Sequence, residues 1–245
     1  MLFFFYRIYF PIQQTLQKDF IMKLKDNQRF VMIGDSVTDA GRARNGDAPS
    51  EGLFEPLGKG YPHVISGLLA AVYPELMLRI TNVGNSGNNI RNLRDRWQRD
   101  VLDLKPDWLS IMIGINDVWR QYDIPQMPEC GVPVEEYEEI LEELVAKTLP
   151  TLSGGMILMT PYYIEPSAED WMRAKMDEYG AACRRVAERH PEVYFIDIQA
   201  EFNAMLKYRH SSFYAWDRVH PNVYGHTRIA RAILNVLDFD FNHNM

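Results

Sequence analysis

The chain has little of what marks several large classes of protein. Only two cysteines occur among its 245 residues. Cys130 and Cys183 lie far apart without metal-ligand spacing, which argues against both a disulfide framework and a zinc site. Two reduced cysteines fit a cytoplasmic protein. Positive charge is short as well: 26 Lys and Arg against 33 Asp and Glu give a formal net charge of −7. That balance disfavours nucleic acid or an anionic membrane as partner and suits a neutral or polar small molecule. No strand-like segment runs into G-x-G-x-x-G or a Walker pattern, so the best-attested phosphate-binding signals are missing. No repeat, low-complexity tract or linker divides the chain. Long hydrophobic runs are lacking too. The apolar start MLFFFYRIYFP is interrupted by Arg7 and ended by Pro11. It has no basic residue before it and no small-x-small site after it, and it is too short to span a bilayer. A second methionine, Met22, stands eight residues before Phe30. Residues 1–21 therefore read as an N-terminal extension or a misassigned start, and residues 22–245 as one domain.

What is present is an apolar content of 47%, enough for a full core. The run RFVMIGDSVTD over 29–39 reads as a buried parallel strand that ends abruptly in a glycine, an acid and a hydroxyl. Residues 39–60 read as a loop. Further along, apolar periodicity and breakers predict a helix over 61–73, a strand over 78–83, an amphipathic helix over 90–104 and a strand over 107–114. A loop through Tyr122, Pro125, Pro128, Gly131 and Pro133 leads to an acidic helix over 134–149, whose carboxylates form a solvated face. A strand over 155–160, a helix over 168–189, a strand over 193–198 and helices over 202–208 and 222–237 complete the chain. Strands alternating with helices imply βαβ units. The predicted fold is an α/β class, three-layer α/β/α sandwich around a five-stranded parallel sheet.

Right-handed crossovers bring the strand ends carrying Ser36, Gly84 and Asn116 to one edge of that sheet, where such folds place their sites. A serine is a weak nucleophile until a base takes its proton, and His220 is the candidate base. Asp217, three residues earlier, is spaced to reach imidazole Nδ1 and leave Nε2 facing Ser36. Three donors are candidates for an oxyanion hole: the backbone N–H of Ser36, the backbone N–H of Gly84 and the side-chain amide of Asn116. A glycine at 84 suits close approach of a substrate to the backbone. Asp35 reads as a turn residue holding the serine at the substrate pocket. Trp216, Trp119 and Tyr162 are candidate substrate contacts at or beyond strand ends, and Trp216 is expected to wall a small acyl pocket. Ser86 reads as a turn residue, and His226 as structural or exposed. No metal site is predicted.

With all four pieces present in order, the chain resembles the GDSL or SGNH hydrolase superfamily. Gly34-Asp35-Ser36, Gly84, Gly114-Ile115-Asn116-Asp117 and Asp217-Arg218-Val219-His220 match its four blocks, and the resemblance covers about 30–237. It implies a flavodoxin-like sandwich and serine-dependent ester hydrolysis without a cofactor. Residues 34–44 (GDSVTDAGRAR), 106–123 (PDWLSIMIGINDVWRQYD), 157–165 (ILMTPYYIE) and 215–221 (AWDRVHP) are similar to bacterial intracellular acetylesterases acting on xylan-derived sugars. This implies an acetylated sugar as small-molecule substrate. A broader acyl esterase, lysophospholipase or thioesterase on the same scaffold is the alternative, and a non-catalytic binding module is another. Exposed apolar surface leaves a homo-oligomer open, and nothing in the spacing sets a subunit number.

Overall fold

A computed structural model describes residues 21–44, 50–51 and 55–243. All but Ile21 of the expected N-terminal extension lies outside the described residues, as does part of the loop over 39–60. Strand β1 (Arg29–Gly34) leads directly into a one-turn helix α1 (Ser36–Asp39), and β2 (Ser50–Glu51), α2 (Tyr61–Val72), β3 (Arg79–Asn82) and α3 (Ile90–Trp97) follow. Next come β4 (Trp108–Met112), α4 (Ile115–Asp123), α5 (Val134–Thr148), β5 (Gly155–Met159) and α6 (Trp171–Arg189). The chain closes with β6 (Tyr194–Ile196), α7 (Ile198–Leu206), α8 (Ser211–Tyr214) and α9 (Val223–Val236).

The sheet runs β2-β3-β1-β4-β5-β6. Five strands are parallel, as predicted, and the two-residue β2 adds an antiparallel edge on β3 that the loop composition around it concealed. Alternation along β1 sends Phe30 and Met32 to one face and Val31 and Ile33 to the other, and both sets are fully buried. The first face packs on α2, α7 and α9, and the second on α3, α5 and α6. From β1 the chain crosses to β3 on one side and then returns to β4 on the other. That reversal opens a crevice beyond the carboxyl end of β1, the usual ligand position in an open α/β sheet.

Beyond the short elements β2, α1 and α8, the longer helices also differ from the sequence reading in places. The segment after Asn116 is helical rather than a loop: Ile115, Val118, Trp119 and Tyr122 share one face of α4, a periodicity masked by the prolines that follow. Helix α7 begins earlier than predicted because Asp197 ends the preceding strand and caps it, accepting from the Ala200 N–H at 2.9 Å. Helix α3 runs on as predicted, but through a π-helical turn over Gln98–Leu102. No helix among the described residues is long and apolar enough to cross a membrane.

The crevice is fixed by one buried cation. Arg96 of α3 donates to the carbonyls of Gly34 (3.0 Å) and Val83 (2.7 Å), which end β1 and extend β3. It also donates to Asn88 Oδ1 (2.7 Å) and pairs with Asp100 (2.7 Å). Asp100 keeps a second partner in the half-exposed Arg99 (2.6 Å), so the loss of Arg96 is felt mainly at the Gly34 and Val83 carbonyls and at Asn88, which lose a donor. Arg96→Met is therefore expected to lower the unfolding free energy by about 1–3 kcal/mol in urea denaturation. A loss under about 1 kcal/mol would place this pair with ordinary surface ion pairs instead.

Candidate active site

Ser36 is the first residue of α1, and its position is set by Asp35. The Asp35 carboxylate caps the helix, accepting from the Val37 N–H at 2.9 Å. As a first-turn residue Ser36 has no intrahelical acceptor for its own N–H, and none among the described residues receives it. Asp35 is buried. Its carboxylate caps the turn that carries the serine, and at 2% exposure it is closed to a substrate, which corrects its assignment to the substrate pocket. Burial pushes its pKa up to about 7, against the pull of the Val37 N–H and of His220.

Ser36 Oγ lies 2.7 Å from His220 Nε2, and His220 Nδ1 lies 2.6 Å from Asp217 Oδ2. A carboxylate only accepts, so a neutral imidazole facing it carries its proton on Nδ1 and presents Nε2 to the serine as an acceptor. Asp217 Oδ1 accepts the N–H groups of Val219 (3.0 Å) and His220 (2.8 Å). Partial burial opposes ionisation of Asp217, yet the His220 ring and these two N–H groups hold its carboxyl below the usual range. Between them Arg218 adopts a left-handed φ of 63°, a conformation that costs a non-glycine residue energy. The segment after β5 holds it there. Ile164 N–H donates to the Arg218 carbonyl (2.9 Å), Glu165 pairs with the Arg218 side chain (2.6 Å), and Tyr162 Oη donates to the Val219 carbonyl (3.1 Å).

The oxyanion candidates divide. Asn116, at the start of α4, donates from Nδ2 to the Asn88 carbonyl (2.9 Å) and accepts from Arg120 Nη2 at Oδ1 (3.1 Å). One Nδ2 hydrogen stays uncommitted. Gly84, in contrast, donates its N–H to Asn82 Oδ1 at 2.9 Å. A Cβ at 84 would sit 2.2 Å from the Asp39 nitrogen, so the close approach that requires glycine is to the chain's own backbone rather than to a substrate. In the turn that follows, Asn85 N–H donates to the Gly34 carbonyl, Ser86 N–H to Asp39 and Asn88 N–H to the Asn85 carbonyl. Gly87, exposed at φ 84°, carries the remaining donor of that turn. The sequence Gly84-Asn85-Ser86-Gly87 offers two glycines, of which the first is the oxyanion candidate by motif. The signal separating the two was Asn82, whose buried amide occupies Gly84 and also donates to the carbonyls of Thr38 (2.8 Å) and Leu57 (3.0 Å).

The aromatic candidates divide as well. The Trp119 ring lies 5.9 Å from the His220 ring, at the site. Tyr162 is buried on Phe202, with its hydroxyl on the His220 loop, so it is a support and not a substrate contact. Trp216, next to Asp217, is 92% exposed. Ser86 gives both its N–H and its hydroxyl to Asp39 Oδ2 at 2.9 Å. His226 is buried and structural, accepting the Tyr61 N–H, and burial lowers its pKa to about 4.

A serine, an imidazole and a carboxylate linked in series at the carboxyl edge of a parallel sheet define the serine-hydrolase class on a flavodoxin-like scaffold. The family described as GDSL-like lipase/acylhydrolase matches residues 32–228. An acetylxylan esterase from Geobacillus stearothermophilus is 51% identical over 220 residues, spanning 90% of this chain and 98% of that protein. The crystal structure of that esterase, Axe2, superposes with a TM-score of 0.85 at 51% identity, covering 89% of this chain and 98% of that one. LAE5, an α/β hydrolase from the metagenome of Lake Arreo in Spain, gives a TM-score of 0.84 at 51% identity with the same coverage. The chain belongs to the GDSL-like lipase/acylhydrolase family.

Asp117, beside Asn116, is fully buried. Its Oδ1 accepts the Ile90 N–H at 3.0 Å, and its Oδ2 has no partner among the described residues. Burial pushes its pKa up to about 7, with the Asp35 charge adding to the rise. An unfolded aspartate titrates near 4, so between about pH 4 and 7 the native state binds the extra proton, and the stability from this group is lost as pH rises. Asp117→Asn keeps an acceptor for Ile90 and cannot ionise. Its melting temperature relative to the native protein is expected to climb from about pH 4 to 7 and level off above. A difference constant across that range would show that Asp117 does not titrate there.

Proposed function

We propose that this protein is a serine esterase that removes O-acetyl groups from carbohydrate, with acetylated xylo-oligosaccharides as substrate and an acyl-enzyme as intermediate. The observation that carries this reading is the unbroken series Ser36 Oγ, His220 Nε2, His220 Nδ1, Asp217 Oδ2, with steps of 2.7 and 2.6 Å. His220 takes the Ser36 proton as the hydroxyl attacks the acetyl carbonyl carbon, and Asp217 holds the ring and the charge it gains. The oxyanion is met by the Ser36 N–H, the Asn116 amide and the Gly87 N–H in place of that of Gly84. The tetrahedral adduct collapses as His220 gives the proton to the departing sugar hydroxyl. A water then attacks the acetyl-serine by the same route in reverse.

The choice of acetyl rests on the activity of the acetylxylan esterase relative and not on a pocket wall, since Trp216 stands out in solvent. In this reading residues 22–245 form one catalytic domain. A cytoplasmic setting, with imported oligosaccharides as substrate, is supported by two unpaired cysteines, one of them buried.

Ser36→Ala is expected to lower hydrolysis of an aryl acetate by at least about 10³-fold with an unchanged circular dichroism spectrum. It should also abolish acetate release from acetylated xylo-oligosaccharides. Wild-type turnover by the variant would remove Ser36 from the mechanism. Equal rates on acetyl, butyryl and octanoyl esters would favour the broader acyl esterase instead.

A further inference from the structure

The Asn116 amide has a pseudosymmetry problem. Its oxygen and nitrogen ends have the same shape, and a half-turn of the side chain would present an acceptor where the oxyanion needs a donor. Two neighbours remove that ambiguity. The Asn88 carbonyl can only accept, and it takes one Nδ2 hydrogen at 2.9 Å. The Arg120 guanidinium can only donate, and it gives Nη2–H to Oδ1 at 3.1 Å. In the flipped state Oδ1 would face the Asn88 carbonyl and Nδ2 would face the guanidinium, so both contacts would turn repulsive at once. Arg120 is itself held at both ends: its other terminal nitrogen pairs with Asp123, and its guanidinium lies 5.2 Å over the Trp119 ring. Arg120 and Asn116 are four residues apart on α4, so one turn of helix places the two side chains together.

We propose that Arg120 is a positioning residue for the oxyanion hole. Its guanidinium locks the Asn116 amide with Nδ2–H toward the reacting centre, and its charge on Oδ1 polarises the amide, strengthening that donor as negative charge develops. The proposal rests on the reading of Asn116 as an oxyanion donor. Arg120 touches neither substrate nor Ser36 in this scheme, and it acts only through Asn116.

The test is a double-mutant cycle on p-nitrophenyl acetate hydrolysis, with folding checked by thermal melts. Asn116→Ala alone is expected to lower kcat by about 10²- to 10³-fold. Arg120→Met should lower kcat about tenfold with KM changed less than about twofold, because the donor matters in the transition state more than in the ground state. Arg120→Lys, also a pure donor, should recover most of that loss. Combining Arg120→Met with Asn116→Ala should cost less than about twofold beyond Asn116→Ala alone. If Arg120→Met is equally damaging in both backgrounds, or harmless in the native background, the proposal is overturned while the Asn116 reading stands. Should Asn116→Ala leave kcat unchanged, that reading falls and the proposal with it. If Arg120→Met fails to fold, Arg120→Leu and Arg120→Ala, which also remove every donor, carry the same cycle.

Discussion

The geometry of the site depends on a single buried guanidinium. Two strand ends that point polar carbonyls into the same crevice need donors there, because an unpaired carbonyl away from water costs free energy comparable to a lost hydrogen bond. Arg96 supplies them from outside the sheet, to Gly34 and Val83 together, and it reaches Asn88 in the turn between β3 and α3. Asn88 in turn accepts from Asn116. The strand that delivers Ser36, the turn that carries Gly87 and the helix that carries Asn116 are thus linked through one cation. Asp100 faces the guanidinium and is shared with Arg99. A lysine here would offer a point charge and three donors in place of a planar fork, and could not meet four acceptors in this geometry.

The loop of Asp217 and His220 is built on a different principle. It carries no regular secondary structure. Its shape comes from an Asx-type turn at Asp217 and from a left-handed Arg218 pinned by the segment after β5. Tyr162, Ile164 and Glu165 belong to that segment, so the end of β5 positions the base much as the end of β1 positions the nucleophile.

The main strands and the long helices were legible because both rest on periodic burial: alternation in Phe30-Val31-Met32-Ile33, and the apolar stripe of Tyr61, Ile65 and Leu69. Ser36, Asp217, His220 and Asn116 were legible because chemistry restricts which side chains sit at those spacings. What sequence hid was of another kind. Gly84 and Gly87 look equivalent in a chain, and only the Asn82 amide, reaching over from the same strand end, separates a structural N–H from a free one. Tyr162 and Trp216 are both aromatic residues beside strand ends or the His220 loop. Their opposite burial is decided by Phe202 and by the fold of the loop, neither of which is a local property. Helix α4 was missed although its apolar spacing is plain, because the flanking glycine and prolines weighed more than the pattern between them.

The openness of the base has a consequence for the fate of the acylated enzyme. With the His220 and Asp217 side chains 43% and 37% exposed and Trp216 at 92%, the base is in reach of solvent among the described residues. In the proposed acyl-enzyme scheme that access is open to water and to a sugar hydroxyl alike, so the partition between hydrolysis and transfer would follow their relative concentration and intrinsic reactivity.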